Sequence, residues 1–140
     1  MYQKLSSFFL RISMGSLFLY SGLSHLFDKG WSAAGYIGSA QNFVPFFQWF
    51  ASPAILPITN QLNIWGLILI GVSLIIGFYV RYTAVLGAIL MLLYYLVLPF
   101  PMPNAHAYII DEHIIYIFAL LALSAYNDGR IWGLDARRAK

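Results

Sequence analysis

Long apolar stretches are the feature of this sequence that most restricts how the chain can fold. Four of them stand out, at about residues 5–27, 62–80, 82–100 and 107–126. Each is close to the roughly 20 residues that an α-helix needs to cross about 30 Å of hydrocarbon. Only 9% of the residues are charged, against about 25% in a typical soluble domain. The sequence therefore predicts one all-α domain over residues 1–140, an integral membrane bundle of four transmembrane helices.

The basic residues predict the orientation of this bundle. Four crossings place both ends of the chain on the same side of the membrane. That side would hold seven of the eight lysines and arginines: Lys4, Arg11, Arg81, Arg130, Arg137, Arg138 and Lys140. Because lysine and arginine are enriched on the cytoplasmic side, both termini are predicted to be cytoplasmic. Arg11, inside the first span, is expected to extend to the headgroups and anchor the helix in the lipid.

Composition also excludes several kinds of site. The chain has no cysteine, which excludes disulfides, thiolate metal ligands, iron–sulfur clusters and cysteine nucleophiles. Its eight lysines and arginines are too sparse for a nucleic-acid surface. We therefore expect membrane lipid, and no nucleic acid, around this protein, and we predict no metal site.

The segment between the first two spans, residues 28–61, is rich in aromatic residues and is interrupted by prolines. Its sequence "NFVPFFQWFASPAILP" is too short and too interrupted to span a membrane. The composition favours an interfacial helical loop on the outer side. We expect Phe46, Phe47 and Trp49 to cover the outer end of the bundle.

Small residues recur at helical spacing in the spans and predict close packing between helices. Gly15 and Gly22 share a face of the first span with Phe18, and Gly66 and Gly77 lie in the second. Glycine at such positions allows helix backbones to approach closely.

The stretch "YIIDEHIIYIF" places three ionisable residues, Asp111, Glu112 and His113, inside the fourth apolar span. A charged side chain at the bilayer centre costs about 2.5–3.5 kcal/mol on insertion scales. Glu112 shares a helical face with Tyr108 and Tyr116, so it is predicted to face the bundle interior. Asp111 points about 100° away and is interpreted as a helix start near the headgroups.

All four spans bring polar or aromatic residues to one outward-facing layer. His25 lies near the outer end of the first span, Asn63 and Trp65 at the start of the second, and Tyr94 and Tyr95 near the end of the third. This layer is the predicted site, and hydrogen bonds within it would offset the cost of the buried carboxylate.

The order of several short motifs resembles the DoxX/DoxD-like family of small four-helix membrane proteins. The motifs lie in "LRISMGSLFLYSGLSHLF", "WGLILIGVSLIIGFYVRYTAVLGAILMLLYYL" and "DEHIIYIFALLALSAYNDGRIWGLD". Their marker residues are Arg11, Gly15, Gly22, His25, Gly77, Arg81, Glu112, Gly129, Arg130, Gly133, Leu134 and Asp135. Many relatives carry lysine at His25 and an acidic residue where this chain has Trp65 and Gly66.

The loop sequences "WSAAGY" and "SPAILP" are similar to those of the large-subunit type of thiosulfate–quinone oxidoreductase. This resemblance implies a membrane subunit of a quinone-linked oxidoreductase in a prokaryotic cell membrane, with quinone as cofactor and a second redox subunit as partner. The residues expected to be catalytic are Glu112, His25 and His113. Those expected to bind quinone or substrate are Tyr94, Tyr95, Tyr116, Trp65, Trp31 and Arg11.

Two other interpretations stay open at this stage. The small size of the chain and its lack of a cofactor motif also fit a non-catalytic membrane scaffold or assembly subunit for a redox partner. A bis-histidine haem between His25 and His113 is a minor alternative. A homo-oligomer is compatible with all of these interpretations.

Overall fold

Seven α-helices and one short 3₁₀ turn form the described part of the chain, residues 1–138 of a computed structural model. The helices are α1 (Tyr2–Phe27), α2 (Ala34–Gly38), α3 (Val44–Phe50), α4 (Leu56–Ile76), α5 (Val80–Val97), α6 (Glu112–Ala125) and α7 (Asp135–Arg138), and the 3₁₀ turn is Asp128–Arg130. The predicted all-α class is confirmed. The long helices α1, α4, α5 and α6 correspond to the four apolar stretches. We call the end of the bundle that carries α2 and α3 the loop end, and the opposite end the terminal end.

Helix α1 packs closely along α4 at glycine positions, where no side chain separates the two backbones. A Cβ atom on Gly71 would lie 2.5 Å from the backbone nitrogen of Leu19, and one on Gly22 would lie 2.9 Å from the backbone nitrogen of Ile68. Gly15 meets α4 in the same way, at 3.0 Å from the carbonyl oxygen of Gly71. The close packing predicted for Gly15 and Gly22 is therefore confirmed, and any larger residue would push the two helices apart.

Helices α5 and α6 form a second pair, and α4 touches α5 over a shorter stretch. Apolar side chains from all four helices fill the space between the pairs, and the largest fully buried ones are Phe18, Leu74, Val80, Leu120 and Leu123. Gly66 takes no part in this packing, because a Cβ atom there would meet no other atom within 4 Å. The close packing predicted for Gly66 is wrong, since this face of α4 looks into an open groove beside α5.

The C-terminal carbonyls of α4 are paired by a side chain from α1. The guanidinium of Arg11 donates to the carbonyl oxygens of Leu74 at 2.6 Å and Ile75 at 3.1 Å, and to that of Ile131 at 3.0 Å. The last four carbonyls of a helix have no partner within the helix, and a cation at this end also interacts favourably with the helix dipole. Arg11 is 0% exposed. The predicted lipid anchor is therefore wrong, because the side chain turns into the bundle and away from the lipid.

The segment after α6 completes the terminal end. The backbone N–H of Leu134 donates to the carbonyl of Ile76 at 3.1 Å, and the carboxylate of Asp135 accepts from the backbone N–H groups of Tyr79 and Val80 at 2.9 and 3.0 Å. An anion at the first turn of a helix pairs N–H groups that the helix leaves free. Gly133 allows the close approach, because a Cβ atom there would lie 2.8 Å from the Cα of Gly77. The marker residues of the closing motif thus tie α4 to α5.

The loop between α1 and α4 forms two short helices, as predicted for an interfacial segment. Ala33, Ile37 and Phe47 pack against Val97 of α5 and form a second apolar cluster. Phe46 and Trp49 are 50% and 57% exposed. The predicted cover is therefore confirmed for Phe47 and wrong for Phe46 and Trp49, because α3 presents only one side to the bundle.

Helix α6 is shorter than the predicted fourth span. It has 14 residues, or about 21 Å of helix, because the helix begins only at Glu112 and residues 107–111 are not helical. Two helices in the described part of the chain, α4 and α5, are long and apolar enough to cross a membrane by length and composition.

We predict that Arg11→Lys lowers the free energy of unfolding by about 2–4 kcal/mol, because a single ammonium group cannot reproduce the planar fork of donors that spans α4 and Ile131. Thermal unfolding in one detergent is the measurement. Lys4→Met, at an exposed position of the same helix, is the matched control and should change stability by less than about 0.5 kcal/mol. Equally small effects of both substitutions would show that Arg11 is a lipid anchor after all.

Candidate functional site

A cavity of about 380 Å³ opens at the loop end, where all four long helices meet the α1–α4 and α5–α6 loops. Its polar lining residues are His25, Ser32, Tyr36, Asn63, Tyr94, Asn104, Asp111, Glu112 and His113, and its other lining residues are Trp31, Ala33, Leu98 and Pro103. Polar groups from all four long helices meet in this cavity, but Trp65 and Tyr95 of the predicted layer do not line it. The volume falls in the range of about 300–1,000 Å³ that is typical of small-molecule pockets.

Asp111 is the buried carboxylate of this cavity, with an exposed fraction of 4%. It caps α6, accepting hydrogen bonds from the backbone N–H groups of His113 at 3.0 Å and Ile114 at 3.3 Å. Its second oxygen lies 2.8 Å from Nδ1 of His113. The carboxylate therefore orients the imidazole and leaves the other ring nitrogen of His113 for other contacts.

Glu112 is exposed, at the rim of the cavity. The predicted inward orientation of Glu112 is therefore wrong, and so is the predicted headgroup position of Asp111. The physical reason is the helix start. The backbone of Asp111 is extended, so Tyr108 is not on the same helix as Glu112 and Tyr116, and the face that these three residues were expected to share does not form.

His25 forms the opposite wall of the cavity together with Trp31. Their rings stack, with centroids 4.1 Å apart and planes at 15°. Two atoms in this wall, Nδ1 of His25 and Oδ1 of Asn63, are buried and have no hydrogen-bond partner of good geometry, although the two side chains are close enough to interact. Buried polar atoms are almost always hydrogen-bonded in folded proteins, and the neighbouring side chains of His25 and Asn63 are the nearest partners for each other.

Tyr94 and Tyr36 complete the enclosure. Nδ2 of Asn63 donates to the hydroxyl of Tyr94 at 2.6 Å, and the hydroxyl of Tyr36 donates to the backbone carbonyl of Tyr94 at 2.9 Å. Desolvation of the Tyr36 hydroxyl, and the nearby Tyr94, Asp111 and Glu112, raise the pKa of Tyr36 to about 12. Tyr36 therefore remains a neutral hydrogen-bond donor at physiological pH.

Several predicted site residues lie elsewhere. Tyr95 donates from its hydroxyl to the carbonyl of Ile109 at 2.5 Å, which ties α5 to the loop before α6. Tyr116 packs against the apolar core, and Trp65 is 48% exposed and donates to Oε1 of Gln61 at 3.1 Å. None of these three residues, nor Arg11 at the terminal end, lines the cavity. The structure thus brings His25, Trp31, Tyr94, Glu112 and His113 together, and excludes the others.

Sequence reasoning placed Asn63 in the predicted layer but gave it no binding or catalytic role, and it missed Tyr36 and Asn104. Asn63 carries a usable signal, because it is an amide at the level of His25 in an otherwise apolar helix. Tyr36 and Asn104 carry none, since each lies in a loop whose path over the bundle depends on tertiary contacts.

Asp111, Glu112 and His113 place three potential ligand atoms within 4.8 Å of one another. That spacing suits a metal ion, but the hydrogen bonds that cap α6 already explain why these side chains lie close together. Both carboxylate oxygens of Asp111 accept hydrogen bonds from its own helix. We therefore interpret this cluster as a helix cap that holds His113.

A family model described as DoxX matches residues 6–99, from the first turns of α1 to just beyond the end of α5. The match covers more than half of the chain and includes Trp31, Asn63 and Tyr94, but it ends before Asp111. No curated protein and no solved structure matches the chain.

We predict that Asp111→Ala lowers the free energy of unfolding by about 0.5–2 kcal/mol, because it removes the cap of α6. Asp111→Asn should retain most of the stability, since asparagine caps helices about as well as aspartate. Glu112→Ala is the control, and should have a smaller effect than Asp111→Ala because its side chain is exposed. Thermal unfolding of the three variants in one detergent tests the order, and a larger loss for Glu112→Ala would contradict the burial described above.

Proposed function

Because the chain belongs to the DoxX family, whose members are generally membrane proteins often associated with quinone oxidoreductases, we propose that it is a multi-pass membrane subunit of a quinone-linked oxidoreductase. The cavity at the loop end binds the quinone head. The observation that carries this proposal is the cavity of about 380 Å³ in which His25, Asn63, Tyr94 and His113, from four different helices, meet.

The outer surface of the bundle supports a multi-pass topology. Large apolar side chains are exposed on every long helix, among them Phe9 at 57%, Leu69 at 63%, Leu86 at 58% and Phe118 at 66%. Apolar area on this scale is unfavourable in water and favourable in lipid. In the proposed topology all four long helices cross the membrane, the terminal end is cytoplasmic, and the cavity lies near the outer face.

The residues of the cavity fit a quinone head. Trp31 and Tyr94 supply aromatic walls. The imidazole of His25 would donate to a carbonyl oxygen, and the side-chain amide of Asn63 would accept from a hydroxyl of the reduced form. Donors and acceptors that are already buried and oriented bind a ligand without further ordering of the protein.

When bound, a quinone would supply an acceptor for two electrons and two protons. The protein would provide the path for the protons. His113, held by the carboxylate of Asp111, keeps one ring nitrogen for proton exchange, and Glu112 at the rim connects the cavity with the solution. A carboxylate that orients a histidine in this way fixes the tautomer of the imidazole.

Thiosulfate oxidation is the specific reaction that we propose for the complex, with two thiosulfate ions joined through a new sulfur–sulfur bond and two electrons released. The cavity itself does not suit this divalent anion, because the described residues that line it include Asp111 and Glu112 and no lysine or arginine. A second redox subunit would therefore bind thiosulfate and deliver the electrons, while this chain binds quinone.

The proposed topology predicts which engineered cysteines react from outside. Ser39→Cys and Ala105→Cys, both at exposed loop-end positions, should react with a membrane-impermeant maleimide in intact cells. Ala136→Cys, exposed in α7 at the terminal end, should react only after the membrane is opened. The absence of native cysteine removes the background, and labelling of Ala136→Cys in intact cells would reverse the map.

Quinone binding tests the proposed site directly. We predict that the wild-type protein, purified in mild detergent, binds a benzoquinone, and that Asn63→Ala weakens this binding by about tenfold through the loss of one buried hydrogen bond. His25→Phe, which keeps the stacking on Trp31 but removes the ring nitrogens, should weaken it similarly. Gln61→Ala, an exposed amide on the same helix, is the control and should bind as the wild type does.

The same preparation distinguishes the other interpretations. The protein would be a membrane scaffold for a redox partner if it purifies without quinone and if its affinity for added benzoquinone does not change in Asn63→Ala and His25→Phe. A haem absorption band that is lost in His25→Phe and in a His113→Phe variant would identify the bis-histidine alternative.

A further inference from the structure

Two further spaces lie near the cavity of about 380 Å³ described above, which we call the polar cavity. A middle cavity of about 180 Å³ lies between the outer loop helices, α4 and α5, and it shares Asn63 and Tyr94 with the polar cavity. A groove of about 470 Å³ runs along the outer surface between α4 and α5; it shares Leu62, Leu90 and Leu93 with the middle cavity and no lining residue with the polar cavity. Shared wall residues thus link the three spaces in series, from the groove on the bundle surface to the polar cavity.

Polarity changes abruptly along this series. The groove is lined by apolar side chains, Gly66 and Thr83, and the hydroxyl of Thr83 donates to the carbonyl of Tyr79 at 3.1 Å. In the middle cavity, the hydroxyl of Thr59 is likewise bonded to a backbone carbonyl, that of Phe50, at 3.0 Å. The first polar atoms that are not paired with backbone are those of Asn63 and Tyr94, where the polar cavity begins.

Gly66 keeps the groove open. It lies in the groove wall, and a Cβ atom there would meet nothing within 4 Å. Between Leu62 and Ile70 the groove follows α4 for about 12 Å, a large part of one leaflet of a hydrocarbon core about 30 Å thick. Its rim residues Leu69 and Leu86 are 63% and 58% exposed, whereas Ile70 at its floor is 7% exposed.

We propose that the groove and the middle cavity bind the hydrocarbon chain of an amphiphile whose polar head occupies the polar cavity. This inference rests on the proposed function, in which the amphiphile is a quinone and the chain is its prenyl tail; a phospholipid acyl chain has the same chemistry. Asn63 and Tyr94 lie where head and chain join. The ligand enters sideways from the lipid between α4 and α5, where the two helices touch over only a short stretch.

The test fills the groove without touching the polar cavity. In Gly66→Phe, and in the milder Gly66→Leu, the new side chain extends into open space, so the bundle should fold normally. Val85→Phe adds the same ring at an exposed position of α5 that lines none of the three cavities. Equilibrium binding is measured with two probes, a benzoquinone without a tail and the same benzoquinone with a prenyl tail.

We expect Gly66→Phe to weaken binding of the prenylated probe by about tenfold or more, because several methylene groups lose their buried contacts. Binding of the tail-less probe should be unchanged, and Val85→Phe should affect neither probe. Equal effects of Gly66→Phe on both probes, or no effect on either, would overturn the inference while leaving quinone binding in the polar cavity intact.

If the wild-type protein binds neither probe, the proposed function fails, and the lipid retained through purification decides the inference by itself. Loss of a co-purified phospholipid in Gly66→Phe, but not in Val85→Phe, would support a groove for acyl chains. Retention of the same lipid in both variants would overturn it.

Discussion

The guanidinium of Arg11 is the contact on which the arrangement of the bundle depends. One side chain of α1 joins the end of α4 to Ile131 beyond α6, so it connects three segments that are distant in the sequence. A buried cation without acceptors would be very costly, and a helix end without donors would leave carbonyls unpaired. The guanidinium gains acceptors from the helix end, and the helix end gains donors from the guanidinium. Asp135 makes the complementary contact, because its carboxylate accepts from the backbone N–H groups of Tyr79 and Val80 at the start of α5.

At the terminal end, the side chains of Arg11 and Asp135 pair backbone groups at the ends of two helices. At the loop end, polar side chains line a cavity. Both ends contain buried polar atoms without a hydrogen-bond partner, Nε of Arg11 and Oδ1 of Asp128 at one end, and Nδ1 of His25 and Oδ1 of Asn63 at the other. Burial raises the pKa of the Asp128 carboxyl, against the opposing effects of Ser7 and Arg11. At the loop end, His25 and Asn63 belong to the lining of a cavity of about 380 Å³, which is large enough for a small molecule. The loop end therefore offers a place for a binding site.

The sequence predicts the all-α class, the helical loop and the layer at which the site lies, because these depend on span length, apolar composition and helical rise. It does not predict which way Asp111 and Glu112 face. Adjacent helical positions differ by about 100°, and whether Asp111 is the first residue of a helix or its cap depends on the loop before it. The role of Arg11 is hidden for a similar reason, since a long side chain one turn inside a span can turn either outward to the headgroups or inward to a helix end. Which of the two orientations the Arg11 side chain takes depends on the position of α4.

The two glycine-bearing faces of α4 connect this packing to the site. On one face, Gly71 lets the backbone of α4 lie against that of α1, and each helix fills the space left by the other's missing side chains. On another face of α4, which touches α5 over a shorter stretch, a Cβ atom on Gly66 would meet no atom within 4 Å. The same helix therefore provides both the tight contact with α1 and one wall of the open groove. Asn63 lies one turn from Gly66 and lines the middle cavity and the polar cavity, so it lies where the chain of the proposed amphiphile would end and its polar head begin.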